Sequence, residues 1–170
     1  MKKYRLTEET TKVGNRTLYR IQALRDFGNV TKGDIGGYIE AEKNLIQDGN
    51  ARVSGNARVS GNAWVYGNAW VYGNARVSDD ARVSGDSRVS GDADIKTAGD
   101  ICSMSGFGSE YRTTTAFRTK NGDVHVSCGC FFGSLEEFCQ RVESTHGNNL
   151  YGREYKKMIE MLKIHFEVEP

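Results

Sequence analysis

A chain of 170 residues with 23 basic and 22 acidic side chains is long enough to bury a core, and its near-neutral balance excludes a nonspecific duplex-DNA footprint. No apolar run approaches the roughly 18 residues that a membrane-spanning helix needs. The opening "MKKYRLTEET" lacks the apolar stretch of a secretory leader, which predicts a cytoplasmic protein.

Residues 1–45 predict an N-terminal β cap. "YRLTEETTKVGNRTLYRIQAL" reads as two strands about a Gly14-Asn15 turn, followed by a glycine-rich entry from Gly33 to Gly37. A six-residue period governs residues 46–103: Val53, Val59, Val65, Val71, Val77, Val83, Val89, Ile95 and Ile101 recur at that interval. Asn or Asp stands three places after each valine and a small residue, such as Ala57 or Ser87, four places after it. An α-helix would advance by about 600° over six residues and scatter the valines around its axis. A strand-and-corner unit fits instead. In Ala-Arg-Val the outer two residues share one face and the middle one points away, while Gly-Asn or Gly-Asp makes a corner that needs positive φ. Three such sides close a coil of 18 residues with valine and alanine inside.

The unit "VSGNAR" resembles the hexapeptide repeat of the left-handed parallel β-helix superfamily, shared by acyltransferases and by several non-enzymatic proteins. The flanking "YRIQALRDFGNVTKGDIGGYIEAEKNL" and the block after Ile101 are similar to short hexapeptide-repeat proteins of bacteria and prophages that are labelled transferases. The resemblance implies a short left-handed parallel β-helix of about three coils in a bacterial host cell. It also implies a homo-oligomer, a trimer above all, joined through flat faces.

Residues 104–170 predict an α+β C-terminal domain of ββαα type, so the chain as a whole is mainly β. A hairpin turns at Asn121-Gly122. "SLEEFCQRVESTHG" carries a capping box, Ser134 with Glu137, ahead of an apolar stripe of Leu135, Phe138 and Val142. A second helix places Tyr151, Tyr155, Met158, Ile159, Leu162 and Phe166 at helical spacing.

The resemblance implies that acyltransfer would use a histidine base at a crevice between neighbouring β-helices, but His125, His146 and His165 all lie outside the repeat. The residues therefore predict a non-enzymatic protein without a cofactor, with an acyltransferase as the alternative. A zinc site from His125, Cys128, Cys130 and Cys139 is disfavoured because Val124, Val126, Cys128 and Cys130 would continue one strand face while His125 points the other way. These thiols and Cys102 read as free, and His146 as the last residue of a helix.

What remains is the outward surface of the repeat. Residues 18 apart should stack, aligning Arg52, Trp70 and Arg88 in one column with Tyr72 beside it, and Trp64 on Arg82 in another with Tyr66 beside it. Such columns either tie a parallel sheet together or form a binding face rich in the residues of interface hot spots. The expected contact surface is Arg52, Trp64, Tyr66, Trp70, Tyr72, Arg82 and Arg88, facing another copy of the chain or a host protein. The alternative is a prophage anti-defence protein that sequesters a nucleotide signal, with aromatics on the base and arginines on phosphate.

Overall fold

The computed structural model describes residues 1–168 and divides into two compact units, Met1–Ala98 and the remainder from Gly99. The first is a β-solenoid of about three turns with an N-terminal hairpin. Strands β1 (Tyr4–Val13) and β2 (Arg16–Ala23) pair antiparallel, and β3 (Ile35–Ile39) lies beside β2. Eight two-residue rungs follow: β4 (Arg52–Val53), β5 (Arg58–Val59), β6 (Trp64–Val65), β7 (Trp70–Val71), β8 (Arg76–Val77), β9 (Arg82–Val83), β10 (Arg88–Val89) and β11 (Asp94–Ile95).

Rungs 18 residues apart pair in parallel, which makes three walls: β4-β7-β10, β6-β9, and β5-β8-β11 continued through β3 into the hairpin. The valines and alanines that the period placed inside are buried, most of them completely. Adjacent rungs exchange backbone hydrogen bonds, such as Arg52 N–H to Ala69 O at 2.9 Å, so each coil satisfies the edge of its neighbour. The corner glycines hold φ between +61° and +69°, and Asp79 occupies the same position at +53°. Side-chain amides form a second ladder along the corners. Asn50 Nδ2 donates to Asn68 Oδ1 at 3.3 Å, Asn68 Nδ2 to Asp86 Oδ1 at 3.0 Å, and Asn62 Nδ2 to Asp80 Oδ1 at 3.1 Å.

Both ends of the repeat differ from the six-residue reading. At the first end the wall begins before residue 46: Ile39 pairs with Val59, and Leu45 bridges Val65. The offset there is 20 residues because eight, not six, separate Leu45 from Val53. Asn44 closes this irregular stretch, its buried amide donating to the carbonyls of Gly61 (3.1 Å) and Ala63 (2.8 Å). Lys3 covers the same end. It is fully buried, donates from Nζ to Ala51 O at 2.7 Å and lies 4.9 Å from the centre of the Phe27 ring. Burial, together with neighbouring Arg25, lowers its pKa to about 8 against a weaker pull from Asp48. At the far end Ile101 leaves the repeat and pairs antiparallel with Phe117, so the units divide after Ala98, earlier than the expected step between 103 and 104.

The second unit contains the expected ββαα arrangement within a wider sheet. Strands β12 (Ile101–Met104), β13 (Thr114–Arg118), β14 (Val124–Cys128) and β15 (Phe131–Ser134) form an antiparallel sheet in that order. Helix α1 (Leu135–His146) starts on the Ser134–Glu137 capping box and ends at Gly147; α2 (Leu150–His165) is capped by Asn149. Ala116, Val124, Val126, Phe138, Met158 and Leu162 are among the residues of its core. Among the described residues no helix is long and apolar enough to cross a membrane.

Candidate functional site

The alternation of the rungs sends every residue before a valine outward, and the parallel register decides which of them meet. On the wall β4-β7-β10, Trp70 is flanked by Arg52 and Arg88 as its strand partners. The Arg52 guanidinium lies 4.2 Å from the centre of the Trp70 ring, a cation–π contact. Burial, and then the charge of Arg88, holds Arg52 below the usual guanidinium range. The Trp70 indole N–H donates to Ser54 Oγ at 2.8 Å, and Tyr72 stacks on the indole with centroids 4.1 Å apart. Trp70 is thus fixed on three sides without losing all of its surface.

The wall β6-β9 repeats the motif with fewer restraints. Trp64 pairs in register with Arg82 and stacks on Tyr66 at 4.3 Å. It is 37% exposed, and Arg82 is exposed as well. The seven expected residues therefore fall into two groups on two walls, Arg52, Trp70, Tyr72 and Arg88 on one and Trp64, Tyr66 and Arg82 on the other. In both, a tryptophan stacks on the tyrosine two residues along, a pairing that a reading of columns 18 apart did not anticipate. The signal was present in the period-two alternation, which puts residues i and i+2 on one face.

The third wall carries the expected stack of Arg58, Arg76 and Asp94, and beside it a cluster around Tyr38 and Glu40 that the sequence reading missed. Its column Arg58, Arg76, Asp94 continues upward to Tyr38 of β3. The Arg20 guanidinium lies 4.6 Å from the Tyr38 ring centre, and the Tyr38 hydroxyl donates to Glu9 at 2.9 Å, which raises the phenol's pKa. Beside it, Glu40 Oε2 accepts from Gly61 N–H at 2.6 Å and from Arg16 Nη1 at 2.8 Å; the Gly61 bond is the main cause of its lowered pKa. Around Tyr38 and Glu40 this wall is paired by ions and hydrogen bonds to the hairpin. Its link to the repeat was hidden by the 20-residue offset.

Between the hairpin and the first coil lies a cavity of about 200 Å3 walled by Tyr4, Ile21, Phe27, Val30, Leu45 and Val53, with Arg52 at its border. Its size falls below the roughly 300–1,000 Å3 of sites for drug-sized ligands.

The histidines and thiols lie in the second unit. His125 packs edge-on against Phe132 at 5.6 Å, while Val124 and Val126 are buried on the opposite face. The expected continuation of that face to Cys130 is not observed: β14 ends at Cys128, Gly129 turns the chain with φ +60°, and Cys130 is exposed. All four cysteines are free thiols, and no group of three or more His, Cys, Asp or Glu among the described residues is placed to hold a metal ion.

A family model described as the YdcK beta solenoid repeat matches residues 51–67, 69–85 and 75–91. Each matched segment is one residue short of a coil, and the last two start six residues apart, as a six-residue internal period requires. No curated protein matches the chain.

Proposed function

We propose that the protein is a non-enzymatic assembly module whose two aromatic walls form the contact surface for further copies of the same chain. The observation that carries this reading is the immobilised Trp70. An aromatic side chain already held by Arg52, Tyr72 and Ser54 loses little conformational freedom on burial, which is the condition for a hot spot. Trp64 with Tyr66 supplies a second such element on the neighbouring wall. Flat parallel walls suit a closed ring of three copies, and a host protein seated on the same surface is the competing occupant.

The test compares the wild-type chain with the double variants Trp70→Ala/Tyr72→Ser and Trp64→Ala/Tyr66→Ser by native mass spectrometry and light scattering. Serine already follows the valine in most other units, so the fold should persist with circular dichroism unchanged. Loss of the oligomer in either variant is expected. An oligomer of unchanged mass in both, or a wild-type monomer, would overturn self-assembly, and a co-purifying mass lost with Trp70 would redirect the surface to a host partner.

Nucleotide sequestration by the same residues is supported less well, because Arg52 is engaged by the indole face and is partly desolvated. Calorimetric titration with cyclic and linear nucleotides checks it, and an absence of heat removes it.

A further inference from the structure

The second unit contains a cleft of about 190 Å3 that the assembly reading does not use. It opens between the turn after β14 and helices α1 and α2. Its floor holds the Cys128 thiol, which accepts a hydrogen bond from Thr114 Oγ1 at 3.2 Å and lies 3.8 Å from the Tyr155 hydroxyl. Tyr155 is buried, with His146 stacked on its ring at 5.6 Å and Phe138 packed edge-on at 5.7 Å. Arg112 and Arg141 stand at the mouth. Arg112 meets a carboxylate only at the surface, Glu110 at 3.6 Å, and Arg141 forms no ion pair among the described residues.

Two backbone positions shape this cleft. A Cβ at Gly108 would collide with the Tyr155 hydroxyl, and one at Gly129 would collide with the Arg112 guanidinium. Both residues have positive φ, +75° and +60°, so the chain turns there in the conformation that leaves room for those two groups. The hydroxyl and the guanidinium are thereby brought to the same opening as the thiol. Arg112 and Arg141 outweigh Glu110, which makes the mouth a site for negative charge. The walls of Phe131 and Phe138 suit a flat apolar body, and a volume under the roughly 300 Å3 of drug-sized sites limits that body to a single ring.

We propose that this cleft binds a small aromatic oxyanion, its charged group on Arg112 and Arg141 and its ring over Phe131, with the Cys128 thiol and Tyr155 hydroxyl at the inner end. Planar guanidinium forks match both carboxylate and phosphate, so the shared chemistry is the oxyanion. A ligand seated there covers Cys128 and leaves Cys139, which does not line the cleft, unaffected, which gives a readout independent of assembly.

The experiment titrates the full chain with phenyl phosphate, benzoate and benzylamine and follows iodoacetamide alkylation of Cys128 and Cys139 by peptide mass spectrometry. Phenyl phosphate or benzoate should slow Cys128 saturably by at least fivefold and leave Cys139 unaffected. The stronger of the two identifies the phosphate or the carboxylate as the preferred group. Arg112→Gln and Arg141→Gln, both at exposed positions, should each weaken the protecting affinity by roughly tenfold or more, as the loss of a charged hydrogen bond implies. Equal protection by benzylamine, no saturable protection by either anion, or protection indifferent to both substitutions would overturn the proposal. Direct calorimetry on the same samples guards against a thiol that is slow for another reason.

Discussion

Val71 is completely enclosed by the coils above and below it, and truncating it to alanine leaves a void that the stacked backbones cannot close. Val71→Ala should cost about 2 kcal/mol in urea unfolding followed by tryptophan fluorescence, which reports the first unit because both tryptophans lie there. The corner glycines are unequal. At Gly67 (φ +69°) a Cβ would meet Gly85 N at 3.0 Å, whereas at Gly85 (φ +61°) nothing lies within 4 Å. Gly67→Ala should therefore lower the melting temperature more than Gly85→Ala, whose cost is confined to about 1–2 kcal/mol of left-handed strain. These inward and corner roles were legible because period and residue size state them directly. The role of Lys3 was not, since nothing in "MKKYRL" marks one lysine as buried. With a folded pKa near 8 against an ordinary value of 10.5, Lys3 loses its proton in the folded state while the unfolded chain keeps it. Stability should thus rise as pH climbs through that window, and Lys3→Met should flatten the rise in denaturant titrations between about pH 8 and pH 10. Tyr4 acts with the opposite sign above about pH 10, because burial raises its phenol and the folded state retains that proton.

The 20-residue first turn of the solenoid shows how an element can escape a periodic reading. Two extra residues between Leu45 and Val53 break the count, and Asn44 compensates by binding two carbonyls of the next coil. Asn44→Ala leaves both acceptors buried without that donor, so a loss of about 1–3 kcal/mol in chemical denaturation is expected. The capping box of α1 was legible because its signal is local: Ser134 Oγ accepts from Glu137 N–H at 3.1 Å, and the Glu137 carboxylate accepts from Ser134 N–H at 2.7 Å. Strands β12 and β15 were not, because each is defined by a partner distant in sequence or by a glycine-containing stretch of four residues. The tryptophan–tyrosine stacks lie between these cases. Their residues were identified, but their division between two walls follows from three-dimensional register rather than from composition.

At the scale of the molecule, stability in the solenoid is close to a sum over coils and their contacts, which makes its length adjustable in steps of 18 residues. Duplicating residues 49–66, whose corners carry only asparagine, should give a folded protein with one more turn and a melting temperature equal to or above the original. An insertion of nine residues would turn valines outward and should abolish cooperative melting. The corner ladder sets a limit on such growth. Its donors are the amides of Asn50, Asn62 and Asn68, whereas Asp80 and Asp86 only accept. An asparagine can relay the bond to another coil, but a carboxylate ends it, and two carboxylates at the spacing of roughly 4.8 Å would repel. All the corners from residue 80 onward, Asp80, Asp86 and Asp92, carry the terminating group. The exchange of one side-chain nitrogen for an oxygen thus works as punctuation: the chain spells out where its own stacking stops, and a neighbour seeking to extend the column meets a full stop written in charge.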